Sequence, residues 1–456
     1  MLNREVSGLE DVREAAARPL APSGRRFWIL AAILAALVVW GVAAYVVQIV
    51  QGLGVAGYTD RGFWGIYEAN LVSFIAVSYG GALVSAILRL TQAKWRAPIT
   101  RLAEAMAVFS LLVGMSFALI HVGRPERIWR LIVTPNLSSP IVWDFIVITT
   151  YLVATLIFLY LPLIPDLAIL RERFAPQGGW RSRFYGALAL GWRGLPRQRQ
   201  LLDRGVTTVA ILIIPVAVFV HSVLSWAFAL TGRPGWDSTI FAPYFVVAAL
   251  YAGVAMVILV VAGFRKGYHL ERYIGLKHFR YLAYLMLTLD LMYLYFTFTE
   301  MLTEGYVMNE ETVPVLQALL VGSYAPFFWL FVLASGIVPL LLVAIGRTRT
   351  ITGIVVASAL VVAGMWLKRL LIVVPVVAHP RIAGAWGTFS PTWVAIGITV
   401  AAAAAIPLLL MAFFRFFPIL SIDEMEEVAA EESHLAALAP GLAGLTLRAH
   451  EGGMAR

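Results

Sequence analysis

Ten apolar stretches run through the chain, at about 27–50, 64–90, 101–121, 140–163, 205–231, 240–264, 279–302, 314–345, 350–376 and 391–417. Each is about 20 residues or longer, enough helix to cross a hydrocarbon layer roughly 30 Å thick. Lipid offers the backbone no hydrogen-bond partners, so continuous apolar runs of this length are helices rather than barrel strands. The chain therefore reads as an all-α polytopic membrane protein. Composition agrees, with 61% of the 456 residues hydrophobic and only 13% charged, where a soluble domain carries about 25%.

The net charge of +9 follows topology rather than nucleic-acid binding. Lys and Arg concentrate in the N-terminal segment, the even-numbered turns and the C-terminal tail. The opposite face carries few, and Lys368 and Arg369 fall inside the ninth span. The positive-inside rule then predicts that both termini are cytoplasmic. Residues 1–26 lack the basic start, short apolar core and small-residue cleavage site of a signal peptide, and are expected to stay on the mature protein as a cytoplasmic segment. Residues 27–231 form a first transmembrane half (spans 1–5), 232–417 a second (spans 6–10) and 418–456 a cytoplasmic tail. The tail opens with Asp423, Glu424, Glu426 and Glu427. It reads either as a short helix that docks a partner or as a partly ordered end.

There are no cysteines, which excludes disulfides and thiolate-held iron–sulfur clusters within this chain. Only His121 and His221 lie in spans, so the facing histidine pairs of a transmembrane dihaem protein are missing. No P-loop, metal-ligand cluster or nucleophile elbow occurs in the loops. The expected inventory on this chain is therefore no haem, no iron–sulfur cluster and no metal. The longest loop on the basic side, about 164–204, carries eight arginines, a pattern suited to lipid headgroups or, alternatively, to a partner. Gly-Arg-Pro occurs twice, at 123–125 and 232–234, which hints at internal duplication.

Few polar residues lie at membrane depth. His121 closes the third span and Asp144 opens the fourth, joined by a linker rich in Pro, Asn and Ser. A quinol sheds two protons with two electrons, and an imidazole and a carboxylate supply both acceptors. A helix-end histidine and an N-cap aspartate explain the same residues. His221 lies deep in the fifth span, where an ionisable group is a functional candidate or a structural hydrogen-bonder. Asp237, by contrast, is expected to cap the next helix. In the seventh span Asp290 accompanies Tyr293, Tyr295 and Glu300, and in the ninth stand Lys368 and Arg369. These groups read either as a hydrated proton track or as a charge pair locking two helices. Glu68 and Asn70 form a smaller cluster of the same kind, with Glu68 placed on the proton path.

His121-Val-Gly-Arg-Pro125, Pro140-Ile-Val-Trp-Asp144 and Trp95-Arg-Ala-Pro-Ile-Thr-Arg-Leu-Ala-Glu-Ala-Met106 resemble the NrfD-like polysulfide-reductase membrane subunits. Within that family, Pro234-Gly-Trp-Asp-Ser-Thr-Ile-Phe-Ala-Pro-Tyr-Phe245 and Pro391-Thr-Trp393 resemble the large membrane subunits of alternative complex III. The resemblance implies two four-helix bundles, spans 2–5 and 6–9, with flanking outer helices, in a bacterial inner membrane. It also implies a quinol, with menaquinol as the named candidate, bound near His121, Asp144, His221 and Arg124. Its expected partners are an iron–sulfur subunit, multihaem cytochrome c subunits and a paralogous membrane subunit, with no nucleic acid. Two departures stand out. A second-span pattern resembling Gly-His-Ala-Gly-Thr reads Ser78-Tyr-Gly-Gly-Ala82 here, and the acidic residue expected after the fifth-span histidine is missing from Ser225-Trp-Ala-Phe228. They favour a second version of the function, a paralogous subunit that binds no quinol and serves proton conduction or assembly. A stand-alone secondary transporter is the competing class.

Overall fold

The structure, a computed structural model, describes residues 2–21, 23–380 and 384–428. Arg381 and the tail beyond Val428 lie outside the described residues. Ten helices are long and apolar enough to span a membrane: α1 Arg25–Gln51, α2 Gly65–Leu90, α3 Lys94–His121, α4 Pro140–Tyr160, α5 Pro196–Ala229, α6 Phe241–Gly267, α7 Leu276–Val307, α8 Ala325–Ala344, α9 Ile351–Ala378 and α10 Trp393–Phe414. The predicted spans are all present, with two differences. The fifth helix begins about nine residues earlier than its apolar run, with Pro196 in its first turn, where proline's missing N–H costs nothing. The eighth span is broken. A short helix, Val313–Leu320, ends at Val321–Tyr324, and α8 restarts with Pro326 in its first turn.

Helices α2–α5 pack as one bundle and α6–α9 as a second, while α1 pairs with α10 alongside α2 and α3. The bundles meet broadly where α2 lies against α6 and α9, and α5 against α6. Helix α2 is the hub, with 89% of its most apolar window buried. Its crossing with α6 depends on Gly80 and Gly253, since a Cβ on either would overlap the backbone of the other. Lipid provides little hydrophobic drive between helices, so close backbone approach at small residues supplies the packing energy. The segment Ser78–Ala82, which departs from the family pattern, is thus a helix-crossing surface.

The two Gly-Arg-Pro turns follow α3 and α5, the second and fourth helices of one bundle. They are therefore not at equivalent positions of the two bundles. Arg233 of the second donates to the carbonyl oxygens of Val376 and Val377 and lies over Phe63, tying the outer loops together. Asp237 does not cap α6, whose first turn begins after Ile240 without a side-chain cap.

At the opposite, basic end the chain is clasped by its own tail. Glu424 binds both Arg89 (2.6 Å) and Arg96 (2.5 Å), and Arg13 binds Glu426 (2.5 Å). The buried Arg101–Asp166 pair (3.0 Å) also takes the backbone N–H of Asp423 on Asp166 Oδ1. Arg199, from the arginine-rich loop, lies 3.5 Å from Asp423. The acidic part of the tail that is described therefore docks on this chain itself. Burial pushes the Glu424 carboxyl up, but Arg96 and Arg89 outweigh it and hold the group below the usual carboxylate range.

Candidate functional site

Three ionisable side chains from three helices lie near one another at the end of the first bundle opposite the basic face, the end that the charge pattern predicts to be the outer one. His121 is on the last turn of α3, and its Nδ1 lies 2.6 Å from the carbonyl oxygen of Phe117. A carbonyl only accepts, so Nδ1 carries a proton in that bond, and in the neutral tautomer that this fixes Nε2 is the acceptor. Nε2 faces Glu68 Oε2 at 3.7 Å. That is too long for a direct hydrogen bond, so each atom keeps an acceptor site that a hydroxyl approaching from the side could donate to. Asp144, in the first turns of α4, is within electrostatic reach of Glu68. Its Oδ1 is shielded and has no partner among the described residues. A buried carboxylate oxygen without a donor is costly, so this atom is suited to accept from an incoming hydroxyl.

Glu68, assigned to the proton path from the sequence, lies beside His121 and within electrostatic reach of Asp144, away from the second-bundle cluster. Its neighbour Asn70 points elsewhere, accepting from Trp366 Nε1 (2.7 Å) and donating to Thr399 (2.8 Å). Two residues apart on a helix are about 200° apart in direction, so they cannot share a face. Arg124 is exposed in the outer turn and no side-chain contact joins it to the trio. His221 also stands apart. It is 1% exposed, packs its ring 4.5 Å from that of Tyr79, and faces the second bundle.

The second cluster lies there. Glu300 Oε2 is 3.9 Å from Lys368 Nζ, with both side chains buried. Lys368 also sits over the ring of Tyr244 (5.6 Å), and Tyr244 stacks on Tyr293 (5.0 Å) and hydrogen-bonds Thr297 (2.6 Å). Asp290 is buried beside Tyr251. The Tyr251 hydroxyl donates to the Ser335 carbonyl at 2.5 Å, within a π-helical turn of α8 over Leu333–Ile337. Such turns free carbonyls from the helix ladder. Two small cavities meet at Lys368. One of about 20 Å³ is bordered by His221, Tyr244, Tyr293 and Arg369, and one of about 50 Å³ by Glu300, Glu304 and Thr312. These have room for about one and a few waters respectively.

Tyr293, Glu300 and Lys368 are therefore brought together. Asp290 lies further along the same face of α7 and is linked to them through Tyr251, whose ring lies 5.9 Å from that of Tyr293. Tyr295 does not join them. It is 64% exposed on the outward face of α7. The signal was present in the spacing: positions 290, 293, 297 and 300 repeat at three and four residues and define one helical face, which 295 misses. Tyr244 and Tyr251, seven residues apart on α6, were missed because single aromatics in an apolar run carry no distinguishing pattern. Among the described residues no group of His, Cys, Asp and Glu side chains could hold a metal ion.

A multi-helix membrane bundle with one ionisable trio at its outer end and a buried charge-and-tyrosine cluster in its second half defines a class of integral membrane protein. The family model for polysulphide reductase, NrfD, matches residues 54–380, and the chain belongs to that family. It is 28% identical over 417 residues (86% of this chain, 91% of the relative) to a protein of Halobacterium salinarum named as a membrane subunit of dimethyl sulfoxide reductase. It is 26% identical to a selenate reductase subunit of Mesobacillus selenatarsenatis, covering 77% of this chain and 83% of the relative. A third relative, the Hdr-like menaquinol oxidoreductase integral membrane subunit of Archaeoglobus fulgidus, is 23% identical over 78% of this chain and 81% of its own length.

Proposed function

We propose that this protein is the membrane-integral, quinol-oxidising subunit of an electron-transfer complex, of the kind represented by alternative complex III. The observation that carries the reading is the convergence of Glu68, His121 and Asp144, with an imidazole acceptor facing one carboxylate and an unpartnered oxygen on another. Quinol oxidation releases two electrons and two protons. One hydroxyl proton passes to His121 Nε2 and the other to a carboxylate of the pair, and the acids then release them at the outer face. The names of relatives that include a menaquinol oxidoreductase membrane subunit support menaquinol as the substrate class. With no cysteine in the chain, the electrons must leave to a partner. The proposed acceptor is an iron–sulfur subunit, with multihaem cytochrome c and a paralogous membrane subunit completing the complex. The proposed location is a bacterial cytoplasmic membrane, and the charge asymmetry supports an orientation with both termini inside.

The test is His121→Ala in the purified complex, with subunit composition checked alongside turnover. Loss of quinol oxidation in an intact complex supports the assignment, and unchanged turnover overturns it. A second reading rests on the Lys368 cluster: the two cavities meeting there support a proton path through Tyr293, Glu300 and Lys368, continued to Asp290 by way of Tyr251, the role expected of a non-quinol paralogue. Asp290→Asn in reconstituted complex separates a path from a purely structural pair. Loss of proton movement with electron flow preserved supports the path, and intact coupling leaves a structural role. A chain that purifies alone, without haem or iron–sulfur absorbance, would point instead to a transporter.

A further inference from the structure

A far larger cavity lies apart from both clusters except at its deep end, where Arg369 also borders the small cavity beside Lys368. The larger one has a volume of about 1210 Å³ and lies between α6 and α9 on one side and α1 and α10 on the other, with α2 as its floor. This exceeds the roughly 300–1,000 Å³ of a pocket for a drug-sized ligand, and its body is apolar, formed by residues such as Phe74, Val77, Met256 and Leu410. It opens sideways toward lipid, where Leu30, Ala359, Ala363 and Ala403 are exposed.

Its dimensions and charge are those of one membrane leaflet. Along α9 it extends from Ala359 to Arg369, and along α10 from Thr399 to Met411. At 1.5 Å per residue these are about 15 and 18 Å, half of a hydrocarbon core roughly 30 Å thick. The groove ends at the basic face of the bundle, where Arg26 and Lys266 stand exposed on its rim. Neither has an ion-pair partner among the described residues. The rim is also built rather than incidental. Arg18 donates to the carbonyl oxygens of Tyr268 (3.1 Å) and His269 (2.7 Å), and Arg415 donates to those of Pro19 (2.9 Å) and Ala21. These bonds fix the segment before α1 across the ends of α6 and α10.

We infer that this groove is a binding site for an anionic phospholipid, its acyl chains along the α9–α10 wall and its phosphate between Arg26 and Lys266. A transmembrane segment of a partner would satisfy the apolar body. It would leave two unpaired cations at the rim unexplained, whereas basic pockets between helices at a membrane face are suited to anionic headgroups. The acyl chains supply binding energy through buried methylenes and the cations supply headgroup selectivity.

Native mass spectrometry of the intact complex, after exchange into mixed micelles holding equal phosphatidylglycerol and phosphatidylcholine, tests the site. The wild type is expected to retain phosphatidylglycerol selectively. Arg26→Gln with Lys266→Gln should weaken that retention roughly 30-fold, the effect of removing two headgroup-facing cations, and leave phosphatidylcholine unaffected. Ala363→Trp, which fills the groove from its lipid-facing edge and leaves the rim intact, should abolish retention by a different route. Equal retention of the two lipids, retention insensitive to both variants, or a partner helix seated in the groove of the assembled complex would each overturn the inference.

Discussion

The two polar regions use similar side chains and differ in access. In the first bundle, Glu68, His121 and Asp144 sit at helix ends, and the His121 side chain keeps 22% of its surface exposed. In the second, Lys368 and Glu300 are 7% and 8% exposed, packed among tyrosines and phenylalanines, with only small cavities beside them. The difference in access rests on His121, since Glu68 is 10% exposed, close to Glu300, and the cavities beside Lys368 hold only water-sized guests. The same pairing, carboxylate beside nitrogen base, thus has an imidazole partly open in one place and an ammonium sealed among aromatic rings in the other, which is why the proposed quinol chemistry is assigned to the first.

The sharpest way to break this contrast is to remove one proton acceptor from the outer trio. Glu68→Gln preserves shape and is expected to lower quinol turnover about 10²–10⁴-fold, the usual contribution of a positioned acid or base. Steady-state turnover of an intact complex is the measure, and a loss below about threefold would place Glu68 outside the chemistry. The inner pair should respond in stability instead. Lys368→Met leaves Glu300 buried and unpaired, at a cost of about 3–5 kcal/mol, visible as a lowered midpoint of thermal unfolding. Adding Glu300→Gln should recover most of it. Failure of the double variant to recover would mean that Lys368 serves something other than Glu300.

The coupling between the regions can be probed at the α2–α6 crossing. Gly80→Ala forces the two backbones apart and is expected to cost about 1–3 kcal/mol by overpacking. Because α2 carries Glu68 and α6 carries Tyr244 and Tyr251, both quinol turnover and proton movement should fall together; loss of only one would show that the regions are mechanically separate. The smallest effect is expected at the clasp of the basic end, which serves as a control for ionic contacts without a reactive role. Glu424 is held below the ordinary carboxylate range by Arg96 and Arg89 despite its burial. A depressed carboxylate contributes stability that is complete above the unfolded value of about 4.3 and is lost as pH falls through the lower folded value. Hydrogen exchange at the amides of 422–428 should therefore rise on acidification below about pH 4. Glu424→Gln should raise it already at neutral pH, by an opening free energy of about 1–3 kcal/mol. Exchange independent of pH and of this substitution would remove Glu424 from the clasp.

The sequence by itself determined the ten helices, the all-α membrane class and the identity of most polar candidates. These follow from apolar length and from the cost of charge in lipid, both properties of a single segment. It also contained, in the spacing of Asp290, Tyr293, Thr297 and Glu300, the face that α7 turns inward. Only the tertiary structure decided that Glu68 stands between His121 and Asp144, that His221 faces Arg369 across the bundle interface, and that the acidic tail folds back on its own arginines. The reason is rotational. A helix such as α2, apolar and buried on nearly all sides, has no polar stripe from which its setting about its own axis can be read. That setting is fixed by close contacts such as Gly80 against Gly253, which exist only once two distant segments have packed.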